Sequence, residues 1–298
     1  MRSIRLIIAY DGTAFHGFQR QRAEHGPTIQ QSLETVWKCL FEENVHFVPA
    51  GRTDAGVHAR AQVVSFQTAA RIPLAKIPKA MNSLLEPDIR ILQAEAAEAD
   101  FNARYSAYWK RYDYWVDNNP IADVFTRRFA YHVPVSLDQT LMARAAAHLE
   151  GRHDFRAFAA AGGASKTFIR TLSHCQVAEA NGLIRITCVG DGFLYNMVRI
   201  LAGTLINLGA WKTQNASQDT VRAEEKIEEI LASRDRTRAG KTVPARGLAL
   251  THVEYDRRKP SLVYPDLKPS IWEESLVRHT ALERYRLRAH REDQIENY

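Results

Sequence analysis

Cysteine is scarce in this 298-residue chain, and the scarcity narrows what the protein can be. Cys39, Cys175 and Cys188 are widely spaced and form no Cys-x-x-Cys pair or Cys/His ligand pattern. That argues against a disulfide scaffold or a zinc site and for buried thiols in a reducing cytosol. No run approaches the ~18 uncharged apolar residues that a membrane helix needs. The opening Met1-Arg2-Ser3-Ile4-Arg5-Leu6-Ile7-Ile8-Ala9-Tyr10 enters a strand-like run at once, without the longer apolar region and cleavage site of a signal peptide. The expectation is a soluble, cytoplasmic protein. No G-x-x-x-x-G-K-S/T phosphate-loop pattern occurs, so nucleotide hydrolysis has no support. No spacing identifies a serine or cysteine triad either.

What is present is an ordinary globular composition. With 45% hydrophobic and 25% charged residues, the chain can bury a core without disulfides or metal. Its length suits one large domain or two intimately packed ones. Lys and Arg exceed Asp and Glu by 40 to 34, a net charge of +6 that would attract a polyanion without identifying one.

Ile4 to Tyr10 reads as a strand closed by Asp11-Gly12. Thr28 can cap a helix, with Gln31 completing a capping box, and Ile29, Leu33, Val36, Trp37 and Leu40 fall on one helical face. Gln62 to Phe66 reads as a strand, Leu74 to Leu85 as a helix despite Pro78, and Ile89 to Ala94 as a strand. Tyr108 to Val116 is an aromatic strand. Ser136-Leu137-Asp138-Gln139 offers a second capping box for an Ala-rich helix that ends near Gly151. Asn181-Gly182, between Val177 and the run Leu183 to Val189, is the strongest hairpin signal in the chain. Phe193 to Leu208 reads as an apolar helix, Val221 to Arg234 as a charged one, and Leu248 to Tyr255 as a late strand. This order suggests two related α+β halves rather than a doubly wound parallel sheet, although no clear sequence repeat accompanies it. The first half is residues 1–105, carrying the Asp54 loop, and the second is residues 106–264. Residues 265–298 form an extension, helical or disordered, with Glu273 to Asn297 as a candidate solvated helix.

Three segments can carry chemistry. Asp54 sits between Gly51 and Gly56, in a loop able to press against a ligand, with Arg52 two positions away to hold it ionised. Such a carboxylate can act as nucleophile or base; it can equally stabilise a turn. His58 can shuttle a proton or simply pack and cap. In Trp109-Lys110-Arg111-Tyr112-Asp113-Tyr114-Trp115, a strand puts Lys110, Tyr112 and Tyr114 on one face, a mix of charge and rings that suits a splayed nucleotide and also an ordinary half-buried strand. Arg199 interrupts the apolar helix, so it either meets a carboxylate or ligand anion or snorkels to water.

Together these segments resemble the TruA family of tRNA pseudouridine synthases. Tyr10-Asp11-Gly12-Thr13-Ala14-Phe15-His16-Gly17-Phe18-Gln19-Arg20-Gln21 is similar to the family's N-terminal signature, although His16 and Phe18 stand where other members often carry different aromatics. Gly51 to His58 is similar to its catalytic loop, and Lys110-Arg111-Tyr112-Asp113-Tyr114 to its substrate-contacting strand. His153 to Phe158, Arg170-Thr171, Phe193 to Arg199 and Gly247-Leu248 continue the match in family order, from about Ile4 to Tyr255.

The resemblance implies an α+β fold, the pseudouridine synthase fold, in which two similar α/β-sandwich-like halves share a mainly antiparallel sheet with a central basic cleft. It implies a homodimer that acts on the tRNA anticodon stem-loop at positions 38, 39 and 40. Asp54 is then the nucleophilic, catalytic carboxylate, Tyr112 packs on the target base and assists proton removal, and Arg199 pairs with Asp54. Arg52 helps to hold the loop and the space left by the flipped base, and Leu248 lines the uracil pocket. Isomerising uridine breaks an N-glycosidic bond, turns the uracil and rejoins it through carbon. No net redox change or hydrolysis occurs, so no cofactor or metal is expected. The target atom is inaccessible in a stacked stem, so the nucleotide must be extruded. Two other readings use the same residues differently: an RNA-binding protein that lacks catalysis, and an N-ribohydrolase that would release uracil.

Overall fold

Alternation sets the first strand. In the computed structural model, which describes residues 1–21, 26–214 and 220–256 (211–214 and 220–224 in backbone only), β1 (Arg2–Tyr10) buries Ile4, Leu6, Ile8 and Tyr10 at every second position. In α1 (Ile29–Phe41), Thr28 caps the helix by accepting the Gln31 N–H at 3.3 Å. Its face buries Ile29, Leu33, Val36 and Trp37, with Leu40 partly buried. Trp37 meets Phe47 and Phe66 edge-on. The short β2 (Val48–Pro49) precedes β3 (His58–Thr68), followed by α2 (Ile77–Asn82) and β4 (Ile89–Ala97).

The second part of the chain begins with β5 (Trp109–Asp117) and β6 (Tyr131–His132). After α3 (Gln139–Ala147) come β7 (Gly151–Asp154), β8 (Ile169–Ala180) and β9 (Leu183–Gly190). Two helices, α4 (Met197–Gln214) and α5 (Thr220–Ser233), precede β10 (Leu248–Glu254). All strands of the described residues join one mixed sheet in the order β4-β1-β3-β10-β5-β9-β8-β7, with β2 on β3 and β6 on β5. Pairing is antiparallel except β10 with β3 and β5 with β6. The mainly antiparallel α+β expectation therefore stands, and β10 is the strand that joins the N-terminal strands to β5.

Local boundaries moved where the sequence pattern competes with backbone chemistry. The second cap is Asp138, which accepts the Leu141 N–H at 2.9 Å, not Ser136: a carboxylate suits a helix N-terminus better than a hydroxyl two residues earlier. Leu74 to Leu85 divides into a 3-10 turn, Leu74–Lys76, and α2, because Pro78 is tolerated only in a first turn. The strand expected at Gln62 to Phe66 runs from His58, straight out of the Asp54 loop. The helix expected from Phe193 begins at Met197, since Asn196 adopts a left-handed φ of 59°. The polar Gly151–Asp154 strand carries no apolar alternation and went unanticipated. Cys39 is exposed, contrary to the expectation for all three thiols, whereas Cys175 and Cys188 are buried. The candidate helix Glu273 to Asn297 lies outside the described residues.

The β8–β9 turn follows its sequence signal: Asn181 and Gly182 take φ of 55° and 78°, both left-handed as a two-residue hairpin of this kind requires. A Cβ on Gly182 would lie 2.2 Å from Asn119 Oδ1. Gly182→Ala should therefore lower the unfolding free energy by ~1–2 kcal/mol, seen as a reduced urea midpoint at constant m-value. An unchanged midpoint would show that the turn relaxes without strain.

Candidate active site

The loop between β2 and β3 is held from below before any side chain faces a ligand. The N-terminal segment wedges under it: the Phe18 N–H donates to the Thr53 carbonyl at 3.0 Å, and the Gly56 N–H to that of Phe15 at 3.2 Å. Gly17 is left-handed, and a Cβ there would meet the Thr53 carbonyl at 2.8 Å, so this approach requires glycine. The buried hydroxyls of Tyr10 and Thr53 share a hydrogen bond of 2.7 Å. Gln62 in β3 donates to the Gly51 carbonyl at 2.7 Å. Burial pushes the Tyr10 hydroxyl up to about 12, against the opposing hydrogen bonds from Thr53 and Gln62, so it stays neutral. Tyr10, Thr53 and Gln62 were not recognised as supports in the sequence. A polar Gln within a buried strand run was the available signal for the last of them.

His58 also belongs to this underlay. It is buried; its Nδ1 lies 3.0 Å from the Gly12 amide nitrogen and 3.1 Å from Asp11 Oδ1, and its Nε2 lies 3.0 Å and 3.1 Å from the carbonyl oxygens of Arg128 and Arg246. Packing is thus the reading that its position supports. Burial would raise the Asp11 carboxyl, but hydrogen bonds from His58 and Thr13 outweigh it and hold the group well below the usual range.

Above this frame, Asp54 lines a cavity of about 660 Å³. Arg52, Tyr112 and Leu248 line the same cavity. Arg199, near the start of α4, places Nη1 3.8 Å from Asp54 Oδ2. Its Nε donates to the Val243 carbonyl at 2.8 Å and Nη1 to Asn196 Oδ1 at 2.7 Å, so this guanidinium is fixed rather than snorkelling. At 3.8 Å it attracts Asp54 without a hydrogen bond, and no hydrogen bond from a described residue ties the Asp54 carboxylate. Burial raises the Asp54 pKa, and the charge of Arg199 opposes the shift only partly. The cation set against burial is therefore Arg199 and not Arg52, whose exposed side chain lies on the same loop.

Tyr112 comes from β5, with its ring 5.0 Å from Phe193 in a T-shaped pair. A Cβ on Gly51 would lie 3.2 Å from the Tyr112 hydroxyl, so the glycine leaves room for that ring beside the Asp54 loop. Burial first, then Tyr10 and Asp54, push the Tyr112 hydroxyl far above the ordinary tyrosine value. Lys110, on the same strand face, also lines the cavity, and burial lowers its pKa, aided by Arg104 and opposed by Asp191. Tyr114, third on that face, does not line it; its hydroxyl donates to the Pro244 carbonyl at 2.9 Å. On the opposite face, Arg111 and Thr187 both donate to Asp113.

Among the described residues that line this space of nucleotide size, Arg52, Arg104, Lys110, Lys166 and Arg170 accompany a single carboxylate, that of Asp54. An enzyme that applies carboxylate chemistry to a polyanion has this layout. Sequence comparison narrows the class. A family model described as tRNA pseudouridine synthase matches residues 6–106 and 145–256. "tRNA pseudouridine synthase A" of Moorella thermoacetica is 46% identical over 255 residues, covering 86% of this chain and all of that protein. The proteins of the same name from Acetivibrio thermocellus and Brevibacillus brevis are each 42% identical over the same share of both chains. The chain belongs to the tRNA pseudouridine synthase family.

The Asp54 environment has a consequence for stability. Folding raises this pKa, so the carboxyl contributes stability below the ordinary aspartate range and loses it as pH rises through the folded value. At neutral pH Asp54→Asn should therefore melt above the wild type, with the difference closing in acid. A variant that melts lower at pH 7 would mean that the Arg199 attraction outweighs burial.

Proposed function

We propose that this protein isomerises uridine to pseudouridine in the tRNA anticodon stem-loop, at positions 38, 39 and 40, with Asp54 as the nucleophilic carboxylate. The observation that carries this reading is the meeting of three distant segments: Asp54 on its loop and Tyr112 across from Gly51 line one cavity, and Arg199 stands 3.8 Å from the Asp54 carboxylate. A uridine extruded from the stack enters the cavity, and the basic side chains at its wall hold the flanking phosphates. Asp54 attacks the sugar as the C1′–N1 bond breaks. The uracil turns, a C1′–C5 bond forms as the carboxylate leaves, and the proton at C5 is lost while N1 gains one. Atoms and charge balance without an external reactant.

Arg199 offsets part of the cost of burial and so favours the ionised Asp54 that a nucleophile at neutral pH requires. Tyr112 packs on the base. Its hydroxyl is held neutral by burial, so it assists proton removal as a hydrogen-bonding phenol rather than as a phenolate. Leu248 forms an apolar wall for the uracil, and Arg52, exposed on the loop, holds the space that the flipped nucleotide vacates. The wider reading is a cytoplasmic homodimer in which residues 1–105 and 106–264 are related halves and the cleft between them is basic.

Asp54→Asn should abolish pseudouridine formation in unmodified tRNA, mapped by nucleotide position, while tRNA binding persists. Turnover that survives at the wild-type rate would remove Asp54 from the chemistry, and release of free uracil would favour a hydrolase. On the acid side, the fall in activity should lie above the ordinary aspartate range, because the Asp54 pKa is raised. Affinity for tRNA should fall linearly on a log–log plot against salt, and a flat response would exclude a phosphate-tracking cleft.

A further inference from the structure

Tyr105 is an aromatic side chain that this mechanism leaves unused. It is 79% exposed and lines the cavity that contains Asp54. Single exposed aromatics are common and carry little meaning on a loose loop. This one stands on an anchored loop. Ala103, two positions before it, is fully buried; its N–H donates to Ser65 Oγ in β3 at 3.0 Å, and its carbonyl accepts the Tyr255 hydroxyl at 2.8 Å. Asn102 Oδ1 accepts the N–H groups of Arg104 and Tyr105 at 2.9 and 3.2 Å, and the Asn102 carbonyl accepts the Ser106 N–H at 2.9 Å. The ring is therefore presented to solvent by a backbone that tertiary hydrogen bonds hold in place.

Its neighbour carries charge. Arg104 lines the same cavity, and its guanidinium carbon lies 5.6 Å from the Tyr105 ring centroid. Tyr195, another exposed aromatic of this cavity, is placed differently. It is 45% exposed, its Cβ lies 3.0 Å from where a Gly163 Cβ would be, and its carbonyl accepts the Ala160 N–H at 3.0 Å. Tyr195 is part of the wall; Tyr105, touched by Arg104, faces solvent at the rim.

Extruding a nucleotide leaves its neighbours without a stacking partner on one side. An aromatic ring at the rim can replace that partner, and an adjacent guanidinium can meet the phosphate. We infer that Tyr105 is the stacking platform for the nucleotide next to the extruded uridine, with Arg104 contacting that nucleotide's phosphate. The inference rests on the pseudouridine synthase reading above.

The test uses full-length protein and tRNA with 2-aminopurine beside the modified uridine. Tyr105→Leu should raise KM for tRNA about tenfold, with the loss falling on KM rather than kcat, and should abolish the 2-aminopurine quenching seen with the wild type. Tyr105→Phe, which keeps the ring, should restore the quenching and most of the KM. If the wild type forms pseudouridine while Tyr105→Leu keeps both KM and quenching, this inference is overturned alone. If the wild type forms no pseudouridine in any tRNA, the reading of the enzyme fails and the inference falls with it.

Discussion

Asp54 exposes only a third of its side chain, sits 3.8 Å from its cation, and receives no hydrogen bond from a described residue. Each condition matters. A carboxylate fully in water would be solvated and sluggish, whereas one tied by several N–H donors would be stabilised as an anion and made a poorer nucleophile. A buried one without a cation would take up a proton. The separation from Arg199 lies between these extremes: close enough to favour charge, too long for a hydrogen bond. Arg199 is spent on Val243 and Asn196 instead, which fixes where its charge stands.

Such a balance needs rigid supports, and the fold supplies them from both sides. The loop rests on the N-terminal segment through backbone hydrogen bonds at Thr53 and Gly56, and on β3 through Gln62. The wall opposite comes from β5. What brings β5 to the loop is the pairing of β10 between β3 and β5, parallel to the first and antiparallel to the second. Leu248, at the start of that strand, consequently enters the cavity beside both. His58 ties the same junction through the carbonyls of Arg128 and Arg246, which gives it a structural place close to the site without a position in it.

Much of this was legible in residues alone. Period-two burial in β1, the Thr28 cap and the Asn181-Gly182 turn obey local rules that the surroundings do not override. Misplacements arose where two local signals competed, as at Ser136 against Asp138 and around Pro78. The polar strand Gly151–Asp154 had no signal to read, because its pairing with β8 is a property of the partner. For the site, the motif-bearing segments named the residues, but Asp54 read locally favoured a turn aspartate.

The amino-acid sequence by itself determined which side chains could carry chemistry, since residue type and local spacing are properties of the chain: one carboxylate between two glycines, a tyrosine on a basic strand, an arginine in an apolar helix. Only the tertiary structure decided how Arg199 is fixed, by Val243 and Asn196 at 3.8 Å from Asp54, that Tyr112 is held neutral, that His58 packs, and that Tyr105 is presented to solvent at the cavity. The reason is that charge balance, desolvation and exposure depend on distances between segments far apart in the chain. Those distances exist only once β10 has closed the sheet.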